Sequence, residues 1–554
     1  MKVKGTFFLI FLLISPLAVG QKEVYFDAQA ALSYIRDLSS EAMMGRESGQ
    51  PGGDLSEEYI ASRLKEWGVE PGGDNGTYFQ KIAFEHMNIE PKVSFEIITG
   101  RQKRNFPYED GWRVWPYSGL GHFEAEIVFV GYGIHSPQKG YDDFAGMNLE
   151  GKVALLILET PFQLEEMIKE ELEIQKRIKA VQESGALAVL ICPSPVKGNR
   201  RLTGDLGKDI YQKDFVILRI ENRIAEFIFR DLPLDLTSLI EEIDSSAKPR
   251  LYETGVKASV AVNAFFDEKR TARNVLGKIT GSDRKLKDEY VFVAAHIDHL
   301  GINPDGEVMP GANDNASGTS VAMEVARILK FSKAKLKRTI VFFLWAAEEQ
   351  GYKGLQYYSS HPIFPLEKIV AHINMDMVGH GSGKVKISGI DYRPDLWNLL
   401  KENIPKDILD NVKPLETFSA RLPVWDPLVA SGVARFGLQT EGYHLKYHQS
   451  RDKLDLIKPE LLKRTGEFVL SAILVLANNP GNLIPGFRRE NYYLKVLRPI
   501  NFASLSLKEI VEFPERAKNS EANLQLAILE GEKGLEGDAL RVDLVNKIFI
   551  YLKN

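Results

Sequence analysis

At 554 residues the chain is too long for a single hydrophobic core, and its 44% apolar and 26% charged content is that of a globular protein, not a disordered one. A net charge of -5 provides no electrostatic footprint for nucleic acid and sets that class of partner aside. One cysteine, Cys192, permits no internal disulfide, so apolar cores and any bound metal must hold the molecule together.

Residues 1–20 carry Lys2 and Lys4, then the apolar run Phe7 to Ile14, then Ala18-Val19-Gly20, the pattern of a secretory signal peptide. The run is shorter than the roughly 20 apolar residues that span a bilayer. Export to the periplasm or outside, with no stable membrane insertion after cleavage, is the expectation. Residues 21–90 read as the first part of a domain that resumes at residue 257. Within them Leu55, Tyr59, Ile60, Leu64 and Trp67 recur at helical spacing over Asp54 to Trp67, and Gly68 follows as a stop. Met44 to Gly49 and Pro71 to Asp74 read as loops, with Arg46 a structural arginine or a site residue.

From 91 to 256 the texture is β-rich and broken by Gly and Pro, with short runs at Ala125 to Tyr132, Val153 to Leu158 and Leu187 to Cys192 and a charged helix over Gln163 to Glu183. No His, Asp and Glu combine there at ligand spacing, and Cys192 reads as core. This stretch is expected to be an inserted domain beside the site. Residues 257–480 resume the domain begun at 21–90, which carries the candidate site, with apolar runs at Tyr290 to Ala295, Thr339 to Ala346 and Ile369 to Met375 separated by helical segments such as Ser317 to Leu329. The alternation predicts an α/β fold with a doubly wound, mostly parallel sheet, whose ligands bind beyond the carboxyl ends of the strands. Residues 481–554, with the charged patch Glu512 to Glu521 and a strand-like Lys547 to Leu552, form a C-terminal accessory segment.

Each of the three apolar runs ends in a polar group. In His296-Ile297-Asp298, residues two apart on extended backbone point the same way, so the histidine can ligate while the aspartate orients its neighbours from behind. Asp314 lies in a Gly-Ala-Asn-Asp-Asn-Ala-Ser-Gly loop opening into a helix, where it either caps the helix or offers one oxygen to each of two cations. Glu348-Glu349 emerges where a buried strand stops, and two acids there are costly unless metal or proton chemistry uses them. Asp376 closes Ile373-Asn374-Met375, and His448 comes from a late loop after Tyr447. One arrangement accounts for all of them: His296 and Asp376 on one ion, Glu349 and His448 on the other, Asp314 between, and Glu348 as general base. Nitrogen and oxygen donors without thiolate suit two Zn2+ ions, with Mn2+ or Co2+ as alternatives.

With these residues in family order, the chain resembles the co-catalytic zinc exopeptidases of the bacterial secreted aminopeptidase and glutamate carboxypeptidase type. The resemblance covers residues 30 to 90 and 270 to 475. It implies the same roles for His296, Asp298, Asp314, Glu348, Glu349, Asp376 and His448, and a peptide substrate. The insertion resembles a protease-associated domain through Val130-Gly131-Tyr132-Gly133, Asp142-Asp143-Phe144-Ala145-Gly146 and Gly151-Lys152-Val153. In that family the peptide after the bridging aspartate is often cis, which extends the expectation to Asp314-Asn315. The chain departs from the family at Pro423-Val424-Trp425 and Gly432-Val433-Ala434, where many relatives carry a Ser-Asp-His-like phrase and a Gly-Ile-Pro turn, on the substrate side of the pocket.

The activity so implied is hydrolysis of N-terminal residues by metal-activated water, with Tyr447 a donor to the oxyanion. The alternatives are a carboxypeptidase of the glutamate-releasing branch, a single-zinc glutaminyl cyclase, and a metal-free binding protein. His299, His380 and His444 fall outside the matching positions and are expected behind the ligands or at the surface. Nothing in the sequence sets the oligomeric state.

Overall fold

The computed structural model describes residues 25–484, apart from 101, 109, 147, 161–163, 165–167, 169–171, 197–207, 333, 391–392, 416–426 and 431–432. The expected signal segment, the residues after 484, Pro423-Val424-Trp425 and Gly432 lie outside the described residues. The charged helix expected over Gln163 to Glu183 lies partly outside them, and its described part is helical over Ile174–Glu183.

Nine strands make the main sheet: β1 (Glu70–Pro71), β2 (Phe79–Ile89), β3 (Ala264–Ile279), β4 (Tyr290–His296), β5 (Thr339–Trp345), β6 (Ile369–Met375), β7 (Val385–Ser388), β8 (Val412–Pro414) and β9 (Arg435–Thr440). Their order is β1-β3-β5-β4-β6-β9-β7-β8, with β2 also paired to β3. The centre, β5-β4-β6-β9, is parallel. On one side β1, β2 and β3 are antiparallel, and on the other β7 meets β9 antiparallel. The sheet is therefore parallel through its centre and again in the β7–β8 edge pair, with antiparallel pairs between; apolar periodicity reports burial and does not reveal the direction of the flanking strands.

Strands β4, β5 and β6 read as continuous apolar runs because both faces of the sheet are covered. The helices that frame it are α1 (Ala28–Leu38), α2 (Pro51–Glu66), α3 (Gly318–Phe331), α4 (Lys353–Ser360), α5 (Pro394–Asn403) and α6 (Pro459–Asn478). Val291, Val293, Ile340, Phe342 and Leu344 pack with Ile35, Ile60, Val321 and Val469, so α1, α2, α3 and α6 cover one face. Phe292, Ala294, Val341, Phe343 and Trp345 pack with Leu355 and Tyr358 of α4 on the other. Helix α2 starts at Pro51, earlier than the apolar spacing suggested, because proline suits the first helical position and Gly52 and Gly53 lie tight against the carbonyls of Met43 and Glu47.

Between β2 and β3 the chain builds a second, eight-stranded sheet, in the order Lys103–Phe106, Ser94–Ile98, Leu251–Val262, Gly121–Val130, Val153–Ile157, Ala188–Cys192, Val216–Ile220, Trp112–Val114. It has its own two cores, one containing Phe129, Leu155, Leu190 and Leu218, the other Val128, Leu156, Val189 and Ile217. Cys192 is a buried free thiol within it. Leu251–Val262 pairs wholly inside this sheet, whereas Ala264 onward pairs with β2. The change of sheet thus falls at Asn263, not after Val256; both strands are extended, so the sequence texture does not change where the partner does. Among the described residues no helix is long and apolar enough to cross a membrane.

Candidate metal centre

Parallel pairing in register sets His296 opposite Trp345, so β4 and β5 end at the same sheet edge, and β6 ends beside them at Met375. The chain turns sharply after β5 and β6: Ala347 and Met377 have positive φ values of 57° and 56°. Glu348-Glu349 and Asp376 thereby meet His296 at the carboxyl edge. The fourth contributor is the turn Ala312–Ser317 ahead of α3, in which the Asp314-Asn315 peptide is cis. His448 arrives from the loop before α6, itself with φ 55°.

The donors fall into two groups that share Asp314, one with His296 and Asp376 and one with Glu349 and His299, and His448 also reaches the second. In the first, His296 Nε2 lies 3.4 Å from Asp314 Oδ1 and 3.5 Å from Asp376 Oδ1. In the second, His448 Nε2 lies 3.3 Å from Asp314 Oδ2 and 3.1 Å from Glu349 Oε2. Donors on one tetrahedral zinc stand about 3.3 Å apart, given bond lengths of about 2.0–2.2 Å, and these spacings match. Asp314 Oδ2, Asp376 Oδ1 and His448 Nε2 are buried yet have no hydrogen-bond partner, as donors awaiting a cation would be. Burial works against ionisation of Asp314, but the His296 and His448 imidazoles overcome it and hold its carboxyl well below the usual carboxylate range. His448 is pushed up to about 10, its burial outweighed by Asp314 and Glu349. A metal displaces exactly such protons on binding, so the residues present fit a pair of divalent ions.

A frame of buried polar groups fixes these donors. The Asp298 carboxylate, fully buried, accepts the backbone N–H of Glu348 at 3.1 Å and of Glu349 at 3.2 Å, and lies 3.8 Å from His296 Nδ1. It therefore orients the glutamate pair more directly than it does the histidine. Asn315 Oδ1 accepts from Gly318 N and Met377 N while its Nδ2 donates to Met375 O, tying the turn to the end of β6. Asp452 accepts the backbone N–H groups of Asn313 and Asp314 at 2.9–3.1 Å. Arg46, also fully buried, donates to the carbonyls of Leu38, Ile297, Pro310 and Gly311. Sequence reasoning missed Asp452 altogether; the only signal was an acid four residues beyond His448.

Glu348 stands beside the first group. Burial, then the Glu349, Asp376 and Asp298 carboxylates, push it up against the pull of His296, so its carboxyl holds a proton more readily than an ordinary glutamate. Tyr447 lies flat on the His448 ring, with centroids 3.7 Å apart, and is half exposed. Burial and the surrounding carboxylates raise its phenol. Of the three histidines expected behind the ligands or at the surface, His380 contacts Leu456 O and His444 contacts Asn313, both half-buried. His299 is completely buried and lies 3.1 Å from Glu349 Oε1.

Two nitrogen–oxygen donor groups that share one carboxylate, at the carboxyl edge of a doubly covered α/β sheet, have the donor chemistry to hold a pair of divalent cations. Residues 274–473 match the model of peptidase family M28. Aminopeptidase YwaD of Bacillus subtilis (strain 168) is 28% identical over 224 residues, 39% of this chain and 47% of that protein. Leucine aminopeptidase 2 of Arthroderma otae is 31% identical over 145 residues, 26% of this chain and 27% of its own length. The matches thus span half or less of these curated relatives. Two solved structures share the fold: an aminopeptidase from Aneurinibacillus sp. strain AM-1, with TM-score 0.57 and 23% identity over 84% of this chain and 97% of that one, and BSAP, a zinc aminopeptidase from Bacillus subtilis, with TM-score 0.55 and 21% identity over 83% and 98%. The main-sheet domain alone could not reach that coverage, so the likeness extends into the second sheet.

Proposed function

We propose that the protein is an exported, zinc-dependent aminopeptidase that removes N-terminal residues from peptides. The observation that carries this reading is the pair of donor groups sharing Asp314, with Glu348 beside the first. His296, Asp314 and Asp376 would hold one ion and Glu349, His448 and Asp314 the other. Bound there, the pair makes water acidic near neutral pH and polarises a carbonyl oxygen. Glu348 takes the proton from that water and returns it to the leaving amine; its raised affinity for a proton suits both transfers. Asp298 and Asp452 keep the glutamates and Asp314 in place, and the Tyr447 hydroxyl is a donor for developing oxyanion charge.

The inserted unit is read as a protease-associated domain that shapes access, on the strength of Val130-Gly131-Tyr132-Gly133 and the phrases that follow. Export rests on the Lys2, Lys4 and Ala18-Val19-Gly20 pattern. The test is metal content of the purified chain together with hydrolysis of an aminoacyl anilide panel before and after chelation. Two ions and chelator-sensitive release from free-amine substrates support the reading. Two ions with release only from peptides ending in an acidic residue would transfer it to the carboxypeptidase branch, and no metal uptake would overturn it.

A further inference from the structure

The loop that delivers His448 has little to hold it down. From Tyr443 to His448 the side chains alternate outward and inward, and the outward set, Tyr443, Leu445 and Tyr447, is 87%, 75% and 50% exposed. Among the described residues, and apart from His448 itself, the one side-chain hydrogen bond from this stretch to another ligand-bearing segment is made by His444.

The His444 imidazole closes a short chain of hydrogen bonds. Asn313 Oδ1 accepts the Gly379 N–H at 2.9 Å, which leaves Asn313 Nδ2 to donate to His444 Nδ1 at 3.1 Å. That nitrogen is therefore bare, and the proton of the ring sits on Nε2, 3.4 Å from the Thr440 carbonyl. Burial and the neighbouring His380 and Lys386 favour this neutral ring, against the pull of the Thr440 carbonyl and Asp376. Gly379 follows closely on Asp376, Asn313 adjoins Asp314, and His444 lies one loop turn ahead of His448. One chain of hydrogen bonds thus joins the segments that carry a ligand of the first ion, the shared carboxylate and a ligand of the second.

We propose that His444 is a positioning residue of the centre: by accepting the Asn313 amide it sets His448, and Tyr447 beside it, against Asp314. This rests on the two-metal reading above. The bare Nδ1 carries the role, since a ring that only filled space would serve as well without a nitrogen there.

Two measurements on the full chain test this. The first needs no metal: a long-range proton–nitrogen spectrum of the metal-free chain at neutral pH, with nitrogen-labelled histidine and the His444 signals assigned by their loss in His444→Asn, should show a neutral ring protonated on Nε2. A proton on Nδ1 would overturn the assignment. The second compares variants by zinc competition with a chromophoric chelator and by kcat on an aminoacyl anilide. His444→Phe keeps a ring but accepts no hydrogen bond, and should weaken zinc binding by about 10- to 100-fold, as loss of an outer hydrogen-bonding partner does, and lower kcat with it. His444→Asn sets an oxygen where Nδ1 stood and should recover most of both losses. A Phe variant that matches wild type, or an Asn variant as impaired as Phe, would overturn the proposal. A wild-type chain that takes up no zinc would instead defeat the two-metal reading itself, and the measurement on metal-free protein stands even where His444→Phe fails to fold.

Discussion

Asp452 holds two backbone N–H groups at the residue that bridges the donor groups, so its loss acts on metal binding without removing a ligand. Asp452→Ala is expected to weaken zinc binding by about 10- to 100-fold, measured by chelator competition; unchanged affinity would mean the Ala312–Ser317 turn needs no such cap. Glu348→Gln keeps the shape of the side chain but cannot accept the proton, and should lower kcat by about 10²- to 10⁴-fold while two ions remain bound. Turnover near the wild-type rate would sink the base assignment. At this scale the sequence was informative wherever a donor closes an apolar run, as His296, Glu349 and Asp376 do. Asp452 was not legible because it serves backbone amides that no side-chain spacing marks, and the carbonyl partners of Arg46, read as a structural arginine or a site residue, were hidden for the same reason. The partner of His299 was not legible either: the strand ends at His296, strict alternation lapses, and the chain turns the next imidazole back toward Glu349.

Among the elements, β5 shows how the sheet holds the site in place. Phe343 is fully buried on the α4 face, 4.6 Å from the Tyr358 ring and 5.9 Å from that of Phe292. Phe343→Ala removes this packing two residues before Trp345 and should cost about 3–5 kcal/mol, read as a fall in denaturant midpoint with unchanged slope. A loss below about 1 kcal/mol would mean the α4 face relaxes freely. Strands β4, β5 and β6 were legible because burial on both faces leaves an unbroken apolar run. The antiparallel flanks and the crossing at Asn263 were not, since strand direction and partner are set by long-range pairing that a local pattern does not record.

For the whole molecule, the separate cores of the two sheets predict two calorimetric transitions. Chelation should lower only the one belonging to the main sheet, because bound metal stabilises by mass action, about 4 kcal/mol at a thousandfold excess over the dissociation constant. Equal shifts in both would mean that the units melt as one. The register of β2 with β3 carries a different consequence. Ile89 and Ala264 are partners on adjacent antiparallel strands, so the chain leaves the main sheet and returns to it at neighbouring positions. Topologically the whole second sheet hangs from the tip of a hairpin, and a turn of about two to five residues would close the gap it leaves. The host fold therefore never had to open to receive it: such a unit can be gained, exchanged or shed along a lineage as a loop-length change, while the edge that carries the donors stays as it was.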